Sequence, residues 1–277
     1  MKERVTLTVD TEILQQVDKS IDGHSVKNRS HAIELLLLKA IGADRPKKAF
    51  ILAGGKGTRL MPLTKELPKP MIPLHDKPLL EHVIGLFKKH GINDIIISLG
   101  YKGDKIKQYF SDGKKFGMNI SYIEEKEPLG TAGPLKLAET MLTETFVMCN
   151  ADELKNINLV DMFVAHKENK AKATLALTTV ENPSDYGVAR MDGNRITEFV
   201  EKPKDPTVGN LISAGLYILE PDVIKLVANG PCSIERDVFP KLATEGKLYG
   251  YPFSGQWFDT GTLQRYEKAI NEWKDLE

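Results

Sequence analysis

The stretch Ile51–Pro73, ILAGGKGTRLMPLTKELPKPMIP, constrains this chain more than any other part of it. An apolar run ends in Ala53-Gly54-Gly55-Lys56-Gly57-Thr58-Arg59, the pattern of a buried strand that delivers a glycine-rich loop to a sheet edge. Residues without a Cβ let backbone N–H groups close on an anion, so the loop predicts a phosphate-rich ligand. Two familiar phosphate loops are excluded by inspection. No G-x-x-x-x-G-K-[ST] run occurs, and a G-x-G-x-x-G run begun at Gly55 fails at Leu60. Further on, prolines on both sides of Lys69 predict an extended, donor-poor strap that presents the lysine stiffly.

Through G-G-x-G-T-R-L-x-P-L-T and the following Pro68-Lys69-Pro70, the chain resembles the sugar-1-phosphate nucleotidylyltransferases, which make activated nucleotide sugars. The resemblance runs over residues 48–270. It implies a nucleotidyltransferase that joins a nucleoside triphosphate to mannose or glucose 1-phosphate, with Mg²⁺ as cofactor and pyrophosphate as by-product. Glu127–Leu135 and Ser233–Pro240 look most like mannose-1-phosphate guanylyltransferases. Trp257–Thr262, WFDTGT, looks more like the glucose-1-phosphate uridylyl- and thymidylyltransferases, so base and sugar stay open. No hexapeptide repeat is present, so the β-helix carried by some relatives is not expected here.

At 277 residues the chain can hold one large α/β domain and something small. Lysine and arginine number 38, as do aspartate and glutamate, so the balance gives no signal for nucleic acid or acidic membranes. The start, MKERVTLTVD, lacks the apolar core of a signal peptide. Ile33–Ile41, the longest apolar run, is broken by Glu34 and Lys39 and is too short for a bilayer. Cys149 and Cys232 have no metal-type spacing and read as free thiols of a reduced, cytoplasmic protein.

Two segments differ in character, 1–45 and 46–277. In the first, Arg4–Val9 alternates as a strand with Val5, Leu7 and Val9 on one face. Asp10 or Thr11 then caps a helix to about Ile21, a polar turn spans Asp22–Asn28, and Ser30 caps a second helix ending at Gly42. Strand, helix, turn and helix in this length resemble a ribbon–helix–helix module. That resemblance implies a homodimer through paired strands, with Arg4, Thr6 and Thr8 toward DNA and Ser30 against phosphate. Residues 1–46 hold seven basic and seven acidic side chains, so dimerisation without DNA is the plainer alternative.

From Lys47 the pattern alternates. Strands are predicted near 48–53, 94–99, 119–123 and 144–149, and helices near 78–90, 103–110, 132–141 and 158–168. Strand-like runs follow at 172–180, 186–191, 196–201 and 211–219, with a last helix near 262–274. This predicts a Rossmann-like α/β fold: a mixed, mainly parallel sheet with helices on both faces and ligands at the carboxyl ends of its strands.

Nucleotidyl transfer needs a triphosphate cradle, a metal, cations on the phosphates and a sugar pocket. Ala53, Gly54, Gly55, Gly57 and Thr58 supply the cradle. Asp152, just past the buried strand Phe146–Cys149, stands where a hard cation could be held, and Asp259 precedes a Gly-Thr helix start. Either alone is more often a strand-end turn residue or a helix cap; the family resemblance implies that they hold Mg²⁺ jointly. Glu153 reads as a solvated neighbour. The resemblance assigns Arg59 to the departing pyrophosphate, Lys69 to phosphate near the reacting centre, and Lys202 to the sugar phosphate. It also points to Tyr186, Gly187, Glu201, Ala214 and Gly215 for the sugar. Backbone around Gly130 and Thr131 would read the base, with Thr131 also a candidate helix cap. A DNA-binding regulator that senses nucleotide sugars is the rival reading. A cytidylyltransferase for an amino-alcohol phosphate is a third, and it leaves Glu201 and Tyr186 unexplained.

Overall fold

Ala49, Ile51 and Ala53 enter one apolar core while Phe50 enters another, so β1 (Lys48–Ala53) is buried on both faces. A strand of this kind belongs at the centre of a sheet covered on both sides. The computed structural model describes residues 4–23 and 26–275, and the chain divides into two compact units, 1–45 and 46–277.

In the larger unit β1 leads through a short hairpin, β2 (Pro73–Leu74) and β3 (Lys77–Pro78), into α3 (Leu79–Lys89) and β4 (Asp94–Leu99); α1 and α2 belong to the smaller unit. Next come α4 (Gly103–Phe110), β5 (Asn119–Glu124), the short α5 (Gly133–Leu137) and β6 (Phe146–Asn150). Strands β5, β4, β1 and β6 lie side by side in parallel, because each is reached by a crossover connection. Beyond β6 the chain forms β7 (Glu153–Lys155), α6 (Leu159–Glu168), β8 (Ala173–Thr179), and the hairpin β9 (Gly187–Asp192) with β10 (Arg195–Glu201). It continues through β11 (Leu211–Leu219), α7 (Phe239–Thr244), β12 (Leu248–Pro252), β13 (Trp257–Asp259) and α8 (Leu263–Glu272).

One nine-stranded sheet results, in the order β5-β4-β1-β6-β11-β8-β12-β10-β9. Its second part is largely antiparallel: β11 pairs β6 and β8 that way, and β10 pairs β9 and β12. One core holds side chains of α3, α4, α6 and α8, and the other holds those of α5 and α7. Strands β7 and β13 are separate from the sheet and pair with each other. At three residues each they show no periodicity, and the sequence reading does not contain them.

In the smaller unit α1 (Thr11–Lys19) is capped by Asp10, whose carboxylate accepts the Glu12 N–H at 2.8 Å. The second helix, α2 (Arg29–Ala40), corrects the predicted cap. Asn28 accepts the His31 N–H at 3.0 Å and Ser30 lies inside the first turn. A bidentate pair between Arg29 and Asp18 ties the helices, at 2.6–2.7 Å. Val17 and Ala32 are the buried helix residues of this unit. The predicted ribbon does not appear as a strand: residues 4–10 have no regular structure and Arg4, Thr6 and Thr8 are exposed. A ribbon is stable only when paired, and the alternation Val5, Leu7, Val9 stands in solvent here. His24 and Ser25 of the predicted turn lie outside the described residues. Among the described residues no helix is long and apolar enough to cross a membrane.

Candidate active site

Leu52 and Asn150 are register partners across β1 and β6, and the Ala151 N–H donates to the Leu52 carbonyl at 3.1 Å. From β1 the chain crosses to β4 on one side, while β6 lies on the other. The loops leaving β1 and β6 therefore part, and they open a crevice at the carboxyl ends of the strands. A cavity of about 850 Å³ fills it. Ala53, Gly54, Gly55, Gly57, Thr58, Arg59, Lys69, Gly130, Thr131, Asp152, Tyr186, Gly187, Glu201, Lys202, Gly215 and Asp259 all line it. Ala214 is a correction. Its methyl is buried in the core with Leu216 and Ile218, and Ser213 and Gly215 face the cavity on either side of it.

The glycine loop is held by its own side chains. Gly57 sits at φ +62°, where a Cβ would meet Thr64 Cγ2 at 2.7 Å and Lys69 Cβ at 3.0 Å. The Thr64 hydroxyl donates to the Gly57 carbonyl at 2.9 Å, and Leu60 is fully buried, which anchors neighbouring Arg59 at the cavity. The predicted strap is corrected in shape. Pro68 is extended, but Lys69–Met71 is a 3₁₀ turn, because Pro70 is compatible with its first helical positions. That turn carries Lys69 inward, leaves it 7% exposed, and pairs its ammonium with the Asp152 carboxylate. Burial pushes the Asp152 carboxyl up, but the Lys69 ammonium beside it and Lys155 prevail and hold it below the ordinary range.

Asp259 reaches the same place through the β7–β13 pair. The Thr260 N–H and hydroxyl both donate to the Asp152 carbonyl, at 3.2 and 2.8 Å, and Asp259 stands opposite Glu153 in register. Asp259 accepts the Gly261 N–H at 2.6 Å, the Tyr186 hydroxyl at 3.0 Å and Arg265 at 2.8 Å. Arg265 also pairs with Asp185 and lies 5.0 Å over the Tyr186 ring. The sequence reading does not contain Arg265; in a solvent-rich helix pattern it looks like any surface arginine.

Glu153 is a second correction. It is not solvated: its side chain is 14% exposed, it accepts Asn150 Nδ2 at 2.7 Å and Trp257 Nε1 at 3.2 Å, and Lys155 lies 3.9 Å away. Burial raises its carboxyl, with Lys155 opposing and Asp152 and Asp259 adding to the rise. Glu201 is raised as well, by burial and by Glu235. Burial and then Asp259 raise the Tyr186 phenol. Lys202 adopts φ +50°, unusual for a side chain with a Cβ, while its N–H donates to the Tyr186 carbonyl at 2.9 Å.

Thr131 does not cap α5, which starts at Gly133 after Ala132. Its hydroxyl donates to Glu235 and accepts the Ile234 N–H at 3.0 Å. Glu235 lies on a single π-helical turn, Ile234–Val238, and also accepts the Tyr217 hydroxyl at 3.2 Å. Glu125, absent from the sequence reading, also lines the cavity and accepts Ser98 Oγ at 2.7 Å and the Leu129 N–H at 3.1 Å.

The donor set suits a hard divalent ion. Asp152 and Asp259 both line the cavity, and Mg²⁺ typically takes one or two carboxylates and completes its shell with water and phosphate oxygens. Among the described residues no cluster of three or more His, Cys, Asp or Glu is arranged to hold a metal. An ion here would rely on substrate oxygens for the rest of its shell.

Residues 48–275 match the Nucleotidyl transferase family. The mannose-1-phosphate guanyltransferase of Yarrowia lipolytica is 42% identical over 223 residues, covering 77% of this chain and 60% of the relative. The chain spans about 60% of the length of such relatives. A crystal structure of a putative glucose-1-phosphate thymidylyltransferase from Bacillus anthracis superposes with a TM-score of 0.75 at 28% identity, covering 83% of this chain and 97% of that one. A UDP-glucose pyrophosphorylase complexed with UDP-glucose gives 0.72 at 27% identity, over 82% and 97%. The chain belongs to the nucleotidyl transferase family.

Proposed function

We propose that this protein transfers a nucleoside monophosphate from a nucleoside triphosphate to a hexose 1-phosphate, releasing pyrophosphate. One observation carries the reading: Lys69 pairs with Asp152, while the residue after Asp259 donates twice to the Asp152 carbonyl. Two carboxylates and a buried cation thus meet beside a glycine loop. In the reaction an oxygen of the sugar phosphate forms a bond to the α-phosphorus in line with the bridging oxygen to the β-phosphorus. That bridging bond breaks, and its electron pair leaves with pyrophosphate.

The attacking phosphate is already ionised, so no general base is required, and catalysis is alignment with charge stabilisation. Gly54, Gly55, Gly57 and Thr58 cradle the triphosphate. Arg59 takes the charge that grows on pyrophosphate, Lys69 lies at the α-phosphate, and Lys202 holds the sugar phosphate. Cations fixed where charge develops contribute about 3 kcal/mol each. Asp152 and Asp259 would hold Mg²⁺, which when bound offsets repulsion between the two phosphate groups. Tyr186, Gly187, Glu201 and Gly215 frame the sugar.

Guanosine is the base best supported. The guanyltransferases compared share about 42% identity with this chain, and the thymidylyl and uridylyl structures compared share 27–28%. Glu125 also presents an acceptor to the cavity, which suits the adjacent N–H donors of guanine and repels the carbonyls that flank the N–H of uracil or thymine. By the same sequence likeness mannose 1-phosphate is the first acceptor to test. The assay is pyrophosphate release with Mg²⁺ over a grid of GTP, UTP and dTTP against mannose and glucose 1-phosphate. Silence with every pair at micromolar enzyme rejects the reaction, and a preference for UTP or dTTP rejects the base.

The smaller unit is proposed to pair two copies of the chain. Val5, at 69% exposure, and Leu7, at 55%, support this with the alternating spacing of a ribbon. Equal numbers of basic and acidic residues favour pairing over DNA contact by Arg4, Thr6, Thr8 and Ser30. Val5→Asp with Leu7→Asp should halve the mass in light scattering. A salt-dependent gel shift by the unaltered protein would add the DNA role.

A further inference from the structure

Glu153 has no part in the chemistry above, yet its carboxylate lines the cavity one residue from Asp152. Its surroundings are built to hold it there. Asn150 Nδ2 donates to Oε1 at 2.7 Å and Trp257 Nε1 to Oε2 at 3.2 Å, so each oxygen is fixed by its own donor. Lys155 lies behind at 3.9 Å, an ion-pair distance beyond hydrogen-bond reach. The carboxylate rests against Gly215, at φ +58°, where any Cβ would collide with it. Trp257 itself lies edge-on to the Tyr186 ring, centroids 5.5 Å apart.

Each carboxylate oxygen offers two lone-pair directions, and one donor occupies each. Each oxygen keeps one acceptor direction, and the residue lines a cavity that must take a triphosphate and a sugar phosphate. A carboxylate repels phosphate oxygens, so its compatible partners there are hydroxyl donors or a cation. Gly215 and the Trp257-braced Tyr186 put those donors on the sugar.

Resting on the reaction proposed above, we infer that Glu153 is a specificity-determining residue whose carboxylate accepts hydrogen bonds from ring hydroxyls of the hexose 1-phosphate. Trp257 acts through it as a positioning residue. The arrangement explains why a buried carboxylate stands directly opposite Asp259, a pairing of like charges that costs stability in a two-stranded ribbon.

The test compares wild type with Glu153→Gln on mannose 1-phosphate and on analogues lacking one ring hydroxyl at a time, with Mg²⁺ titrated in parallel. Glutamine is isosteric and can keep both fixing contacts if the Asn150 amide turns over. Wild type should lose roughly ten- to a hundredfold in kcat/KM with at least one deoxy analogue, because an unmatched buried acceptor is left behind. In Glu153→Gln that penalty should fall to about twofold, with the KM for nucleotide unchanged. An identical deoxy profile in both proteins overturns the inference. So does a shift in the Mg²⁺ requirement with no change in sugar preference, which would move Glu153 into the metal set. If wild type turns over no pair, the reaction itself has failed. Calorimetric binding of GDP-mannose and its deoxy analogues to both proteins then decides on Glu153 alone, by the same criterion. Should Glu153→Gln melt early, Trp257→Phe removes one fixing donor and keeps the carboxylate. A raised KM for the sugar phosphate at constant nucleotide KM supports the role, and an unmoved sugar KM overturns it.

Discussion

The two halves of the cavity are built on opposite principles. The proposed triphosphate half is backbone and cation: a glycine loop between β1 and the Thr58–Leu60 turn, with Arg59 and Lys69 beside it. The proposed sugar half is carboxylate and hydroxyl: Glu153, Glu201, Glu235, Ser213, Tyr186 and Tyr217 line it. The first half comes from one contiguous segment, and the second from β7, the residue before β9, β10, β11 and the π-helical turn. Phosphate is bound by many weak donors that any close-approaching backbone can supply. Discrimination among sugars needs acceptors fixed in space, and only converging elements provide them.

Substitutions can break this contrast. Replacing either carboxylate at the join, Asp152→Asn or Asp259→Asn, should lower pyrophosphate release by roughly a thousandfold or more while cooperative melting persists. Wild-type rates in either would remove the metal assignment. Lys69→Ala and Arg59→Ala should each cost about a hundredfold in kcat/KM whichever hexose 1-phosphate is used, since the roles proposed for them are on phosphates common to all. A loss confined to one sugar would erase the division between halves. On the other side, Glu201→Gln should raise the KM for sugar phosphate about tenfold and leave the KM for nucleotide within twofold.

The smallest effect belongs to neither half. His166 is fully buried, and burial lowers its pKa to about 4. Its folded pKa lies below the unfolded value, so the unfolded chain binds the extra proton and stability falls as pH drops from about 6.5 toward 4. Chemical denaturation at about pH 5.5 should show a loss on the order of 1 kcal/mol from this group relative to pH 7.5. His166→Gln should flatten that slope without changing either KM. A slope that persists would assign it to other groups.

Legibility divided along the same line. The β1 strand, its glycine loop and the parallel direction of the first strands were readable because apolar runs, glycines and strand–helix alternation act locally. Asp152 was readable as a strand-end carboxylate. Glu153 next to it was misread as solvated, since its burial depends on Trp257 and Gly215, far away in the chain. Arg265 and Glu125 were missed because an arginine in a polar helix and a glutamate after a strand carry no pattern. The segment carrying Lys69 is a 3₁₀ turn where an extended strap is expected, because proline limits φ but permits both an extended and a helical ψ.

The ribbon of the smaller unit marks another boundary. Its alternation is plain in Arg4–Val9, yet a strand exists only against a partner, and residues 4–10 remain irregular in one chain. The sequence alone determined eight of the nine strands of the large sheet, all but β12, and where the glycine-rich turn lies. Those are properties of short windows, set by hydrophobic period and by what glycine and proline allow. Tertiary structure alone decided that Thr260 would close onto the Asp152 carbonyl, that Glu153 would be buried among donors, and that Arg265 would bridge two aspartates. Such contacts join residues distant in the chain, and no window of sequence contains the packing that brings them together.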